Sequence, residues 1–243
     1  MFKGEGFLPI LFLLFPVITL SGHDKNPGII EFNGFCPQEL LVYRDSQVLY
    51  NGKAWYKRYT NVRGNEFFST ALWVSGEVSI KGRTFRVRSL RYDIANDELL
   101  IRRSDGVAIA MNGEMVSGFT LFAEGNSYHF KNFRGRGNYG MNGYAIGLYE
   151  GKTALLLKPV KELMPLGYQK IMDMFVQTDY LYVYKNGQVH RIRYRKDLLD
   201  LLDDKRNEIR NFIRTNRLNI LPEQPGSIIP VLRYYDSLPE QKV

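Results

Sequence analysis

Through the middle of this chain, apolar residues recur at every second position. Around Lys81-Gly82, the segments Glu77-Val78-Ser79-Ile80 and Thr84-Phe85-Arg86-Val87-Arg88 alternate in this way, the pattern of a hairpin with one buried and one wet face. Residues 99–103, 107–111, 118–122 and 128–133 continue it. Turn dipeptides separate the segments: Asn51-Gly52, Lys81-Gly82, Asp105-Gly106, Asn112-Gly113, Glu124-Gly125, Asn142-Gly143, Glu150-Gly151 and Asn186-Gly187. Hairpins over 144–157 and 180–194 complete the series. Residues 158–174 lose the alternation and contain Pro159, Pro165 and Gly167, which predicts a loop with a short helix. The expected fold is mainly β (α+β): an antiparallel meander forming a curled sheet, a barrel or a sandwich.

The period changes after residue 193. In "RYRKDLLDLLDDKRNEIRNFIRTNRLN", Leu198, Leu201, Leu202, Ile209, Phe212 and Ile213 fall on one side of a helix. Asp203 or Asp204 can cap a second helix, so the pattern predicts a break there. A last helix is expected from Ser227 as cap, with Pro230 in its first turn and Ile228, Leu232 and Tyr235 facing inward. Arg206, Arg210 and Arg214 form a ridge beside the apolar stripe, and Arg217 rejoins it. Residues 191–217 hold nine basic and five acidic side chains, the balance of a solvated flank. That balance favours helices closing the sheet over helices gripping a polyanion.

Residues 7–20 are apolar except for Pro9, Pro16 and Thr19, follow Lys3, and precede Ser21-Gly22. This run is too short to span a bilayer and suits a secretory signal cut after Ser21. The expected organisation is a signal peptide over 1–21, a β-sheet domain over 22–195 and a helical element over 196–238 packed on the sheet. The single cysteine, Cys36, excludes an intramolecular disulfide and lies too far from the apolar run for a lipoprotein. His23, His129 and His190 show no zinc spacing, and no cofactor is expected. A formal charge of +8 permits association with polyanions but says nothing of the fold.

Three groups carry candidate chemistry. Gly135-Arg136-Gly137-Asn138-Tyr139-Gly140 fits the dinucleotide pattern G-x-G-x-x-G, yet another turn and a strand follow it where a helix is required. It reads as a loop, in which Arg134, Arg136, Tyr139 and Tyr144 offer a contact surface. Asp93, Asp97, Glu98 and Asp105 surround another turn. They read as solvated turn residues, with a hydrolase or transferase site at Asp93, Asp97 and Glu98 as the alternative. Arg83, Arg86, Arg88, Arg91, Arg102 and Arg103, with Phe85 and Tyr92 among them, suggest a basic and aromatic sheet face.

The succession "LYEGKTALLLK", "DYLYVYKNGQVHRIRYRKDLLDLLDDKRNEIRNFIRTNRLN" and "YYDSL" resembles the C-terminal half of an uncharacterised family of secreted bacterial envelope proteins, over residues 144–238. The resemblance implies an exported β-rich protein with a terminal helical element, and brings no activity with it. The expectation is therefore a non-enzymatic binding protein of the periplasm or outer membrane. Its partner would be another envelope protein or envelope component, with no nucleic acid and no transmembrane span after signal removal. Arg206, Arg210 and Arg214 are further candidate contacts, and a nucleic-acid binder is the remaining alternative, on charge alone.

Overall fold

The computed structural model describes residues 30–31, 47–135, 141–165 and 173–239. The signal-like segment, Cys36, Arg136 and Tyr139 lie outside the described residues. The strands are β1 (Ile30–Glu31), β2 (Gly52–Ala54), β3 (Val74–Ile80), β4 (Arg83–Asp93), β5 (Glu98–Arg102), β6 (Ala108–Met111), β7 (Val116–Ala123), β8 (Asn126–Asn132), β9 (Tyr144–Glu150), β10 (Ala154–Met164), β11 (Met174–Lys185) and β12 (Gln188–Ile192). Among the described residues three α-helices follow: α1 (Arg195–Leu201), α2 (Arg206–Thr215) and α3 (Ile229–Ser237). The strands form one sheet in the order β12-β11-β10-β9-β8-β7-β3-β4-β5-β6-β2, with β1 beside β4. The sheet is mainly antiparallel, as the alternation implied; of the three expected forms it takes the curled one, and among the described residues no ladder closes it into a barrel.

The turn chemistry explains the register. Lys81 and Gly82 both have positive φ, as do Glu124 with Gly125 and Asn186 with Gly187. Two successive left-handed residues make the tight turn whose twist matches that of the flanking strands. Between Val74 and Gly76 of β3 the register with β4 shifts by one, so β4 carries an extra residue. Phe85 and Val87 before the bulge, and Leu90 and Tyr92 after it, all turn inward.

One expectation is corrected at β10 and β11. Pairing runs from Ala154↔Tyr184 to Met164↔Met174, so residues 158–164 are strand and not loop. Pro159 is tolerated because β9 pairs with β10 only as far as Leu157. Beyond that point, among the described residues, no strand pairs with that side of β10, so the missing N–H of Pro159 costs no ladder bond. That side next meets the turn after β4, where Lys161 N–H donates to Ile94 O at 3.3 Å.

The larger core fills the hollow of the curled first half. Tyr92 meets Phe119, Phe130 and Tyr144 edge-on at 5.1, 5.0 and 5.7 Å between centroids, and Phe119 stacks on Phe130 at 4.6 Å. Each such pair is worth about 0.5–1.5 kcal/mol beyond its buried area. The second core lies under the helices: Leu155, Leu181, Val183 and Ile192 of the sheet pack against Leu198, Ile209, Ile213 and Leu232. The terminal helices thus cover the sheet with their apolar stripe.

The break in the helical run falls at residues 203–205, as expected, but its cause differs. Lys205 precedes α2 without a side-chain capping bond. Asp204 instead accepts from Lys185 Nζ at 2.7 Å and from Tyr235 Oη at 2.8 Å. Ser227 is not the cap of α3 either; Ile228 is, while the Ser227 hydroxyl bonds both backbone groups of Leu221 at 2.9 Å. Among the described residues, no helix is long and apolar enough to cross a membrane.

Candidate functional site

Two features converge on the turn between β4 and β5: a strap, residues 55–73, and a set of charged side chains. The strap leaves β2 and, before entering β3, meets the sheet through two bridges, Phe67 antiparallel to Asp93 and Arg63 parallel to Met174. Phe68 N–H donates to Tyr92 O at 2.8 Å and Ile94 N–H to Glu66 O at 3.0 Å, so the strap pairs with the end of β4. Arg63 N–H donates to Asp173 O at 2.7 Å and Phe175 N–H to Arg63 O at 3.1 Å, so it also reaches the start of β11. It therefore clasps the two halves of the sheet together.

Extended backbone sends neighbouring strap side chains to opposite faces. Phe68 joins the main core, edge-on to Tyr128 and Phe130. Phe67 packs outside, on Leu100 and Ala110, with Trp55 and Trp73 against the same cluster. The Arg91 guanidinium lies between the Phe67 and Trp73 rings, at 4.4 and 4.2 Å from their centroids. Burial lowers its pKa. Next in sequence to the two tryptophans, Tyr56 and Leu72 are exposed to solvent, at 76% and 72%.

The charged set is tied into structure. Asp97, at φ 56°, accepts from Tyr92 Oη and Arg134 Nη2, each at 2.6 Å, and its backbone carbonyl takes a second Arg134 bond at 2.6 Å. Lys158 lies 3.8 Å away, its pKa lowered by burial. Glu98 holds Arg58 at 2.8 Å and Lys53 at 2.9 Å. Asp93 is fully buried; its carboxylate accepts the Ala95 and Asn96 N–H groups at 3.0 and 2.9 Å and the Asn96 amide at 2.9 Å. Burial raises its pKa, against those bonds.

Several sequence expectations change here. Asp93, Asp97 and Glu98 are not solvated turn residues; Asp105 is exposed, its pKa lowered first by the Arg103 side-chain bond. Tyr144 is no contact residue but a core residue under the Arg134 guanidinium, which lies 4.4 Å from its ring centroid. Burial pushes its phenol up to about 12. Arg134 serves the Asp97 bonds. Phe85 and Tyr92 face the core; Arg83 lies 5.7 Å from the Phe85 ring centroid, while Arg91 takes its aromatic partners, Phe67 and Trp73, from the strap. Arg206 pairs with Asp200 at 3.2 Å; Arg210 and Arg214 are exposed on α2, and Arg214 donates to Asn211 at 3.1 Å.

The strap itself went unread in the sequence. Its one local signal was Trp55, Phe67, Phe68 and Trp73 concentrated in a stretch without alternation. Among the described residues no group of acidic, histidine or cysteine side chains is arranged to hold a metal ion. Comparison with family models, with curated proteins and with solved structures finds no match to this chain.

Proposed function

We propose that this is an exported, non-enzymatic interaction protein of the bacterial cell envelope, in the periplasm or at the outer membrane, and that it meets its partner on the strap. The observation that supports this reading is the exposure of Tyr56 and Leu72, each adjoining a tryptophan of the Phe67 cluster. Large exposed side chains with apolar surface, next in sequence to half-buried tryptophans and close in sequence to the basic Arg58, have the composition of an interface centre. The apolar run over residues 7–20 supports export. A hydrolase or transferase centred on Asp93, Asp97 and Glu98 has less support, because strap and loop donors occupy these carboxylates.

The test is photocrosslinking in the producing cell with benzoylphenylalanine at position 56, and separately at Arg210 on α2. A discrete adduct from position 56 that is lost with Leu72→Ser supports the strap as the interface. Adducts from position 210 alone would move the interface to the helices.

A further inference from the structure

Among the described residues, the far side of β12 has no strand against it. The hairpin fixes which backbone groups point that way. Asn186-Gly187 is a two-residue loop with both residues at positive φ, so Lys185 and Gln188 close it as a hydrogen-bonded pair. In an antiparallel ladder bonded and non-bonded pairs alternate. Val183–His190 and Leu181–Ile192 are then bonded pairs, and Tyr184–Val189 and Tyr182–Arg191 are not. The N–H and C=O groups of Val189 and Arg191 therefore face outward. The next outward N–H, that of Arg193, is already held by the Asp197 carboxylate at 2.7 Å.

A groove runs beside this edge, with His190, Arg191 and Arg193 on the strand side and Asp197 and Asp200 on α1. Its acidic wall is engaged internally. Asp197 accepts the Arg193 and Tyr194 N–H groups, and Asp200 pairs with Arg206. On the other wall, the Arg191 guanidinium lies over Tyr180 at 4.3 Å, and both Arg191 and Arg193 are exposed. With the Asp200 charge paired to Arg206, the two arginines outnumber the remaining Asp197 carboxylate, and the net charge facing a visitor is positive.

We propose that the β12 edge accepts an extended, acidic segment of a partner protein by strand addition. The segment pairs its backbone with Val189 and Arg191, while carboxylates at alternate positions meet Arg191 and Arg193. Charge selects this occupant over a second copy, because β12 paired with its own mate sets Arg191 and Arg193 of both copies along one seam, where like charges repel. Edge arginines also turn away unrelated strands, and an acidic segment converts that barrier into attraction. The inference rests on the sheet edge alone and holds or fails separately from the strap and from the compartment.

The test uses the full chain and two short fluorescent peptides, one alternating valine with glutamate and one alternating valine with lysine, read by anisotropy. The glutamate peptide should bind at least about tenfold more tightly than the lysine peptide. Arg191→Pro removes an outward N–H without touching the β11 ladder and should abolish binding. Arg191→Glu keeps the edge and should reverse the preference, so the proposal stays testable if the proline variant fails to fold. Equal binding of the two peptides, binding unchanged in Arg191→Glu, or no binding of either peptide overturns it. So does a concentration-dependent dimer that Arg191→Pro dissolves while neither peptide binds, which would give the edge to a second copy.

Discussion

Arg134 donates to both the side chain and the backbone carbonyl of Asp97, each at 2.6 Å, and so binds the loop after β8 to the turn between β4 and β5. Gly143, at φ 92°, leaves room for that carboxylate: a Cβ there would lie 1.8 Å from Asp97 Oδ2. Asp97→Ala leaves the buried Tyr92 hydroxyl without its acceptor and should cost about 2–4 kcal/mol in urea unfolding. Gly143→Ala should be damaging alone, and less so beside Asp97→Ala, where only a backbone strain of about 1 kcal/mol remains.

Asp236 plays the matching part for the last helix. Its carboxylate accepts the Thr153 hydroxyl at 3.0 Å, the Thr153 N–H at 3.1 Å and the Tyr149 hydroxyl at 2.9 Å, anchoring α3 to the turn between β9 and β10. Burial first, and this carboxylate second, raise the Tyr149 pKa. Asp236→Ala should release α3 ahead of the sheet, seen as faster amide exchange over Ile229–Ser237 while β3 to β7 keep their protection.

The buried Asp93 makes stability depend on pH. Burial raises its carboxyl above the ordinary value of 3.8, so the folded protein binds that proton more tightly than the unfolded chain. The resulting stabilisation is complete below the ordinary value and is lost as pH rises through the raised one. Asp93→Asn escapes the loss. Its stability should therefore gain on the wild type as pH rises from the acid side toward neutrality, read as the difference in urea unfolding free energy at each pH.

The helices offer a direct contrast between covering and gripping. Ile209→Ala, in the fully buried stripe of α2, should cost about 2–5 kcal/mol. Arg210→Ala, one residue along and exposed, should leave the urea midpoint unchanged.

The sequence made the strands and tight turns legible because both are local: alternation sets the faces, and dipeptides such as Lys81-Gly82 and Asn186-Gly187 set the turn type. The helix break was legible in place but not in cause, since Asp204 is drawn away by Lys185 and Tyr235, which come from distant parts of the chain. Non-local pairing also hid the rest. Pro159 read as a loop until β9 was seen to stop short of it. The polar turn at Asp93 to Glu98 read as solvated because nothing near it in sequence announces the strap or Arg134. The strap lacks periodicity because it meets the sheet through isolated bridges, Phe67 with Asp93 and Arg63 with Met174, instead of a continuous ladder.

Export to the envelope underlies the proposed function, and the most direct measurement is fractionation of the producing cell with mass spectrometry of the protein's N-terminus. The account predicts an envelope or periplasmic species beginning at or near Gly22. An intact cytosolic chain beginning at Met1 or Phe2 would contradict it.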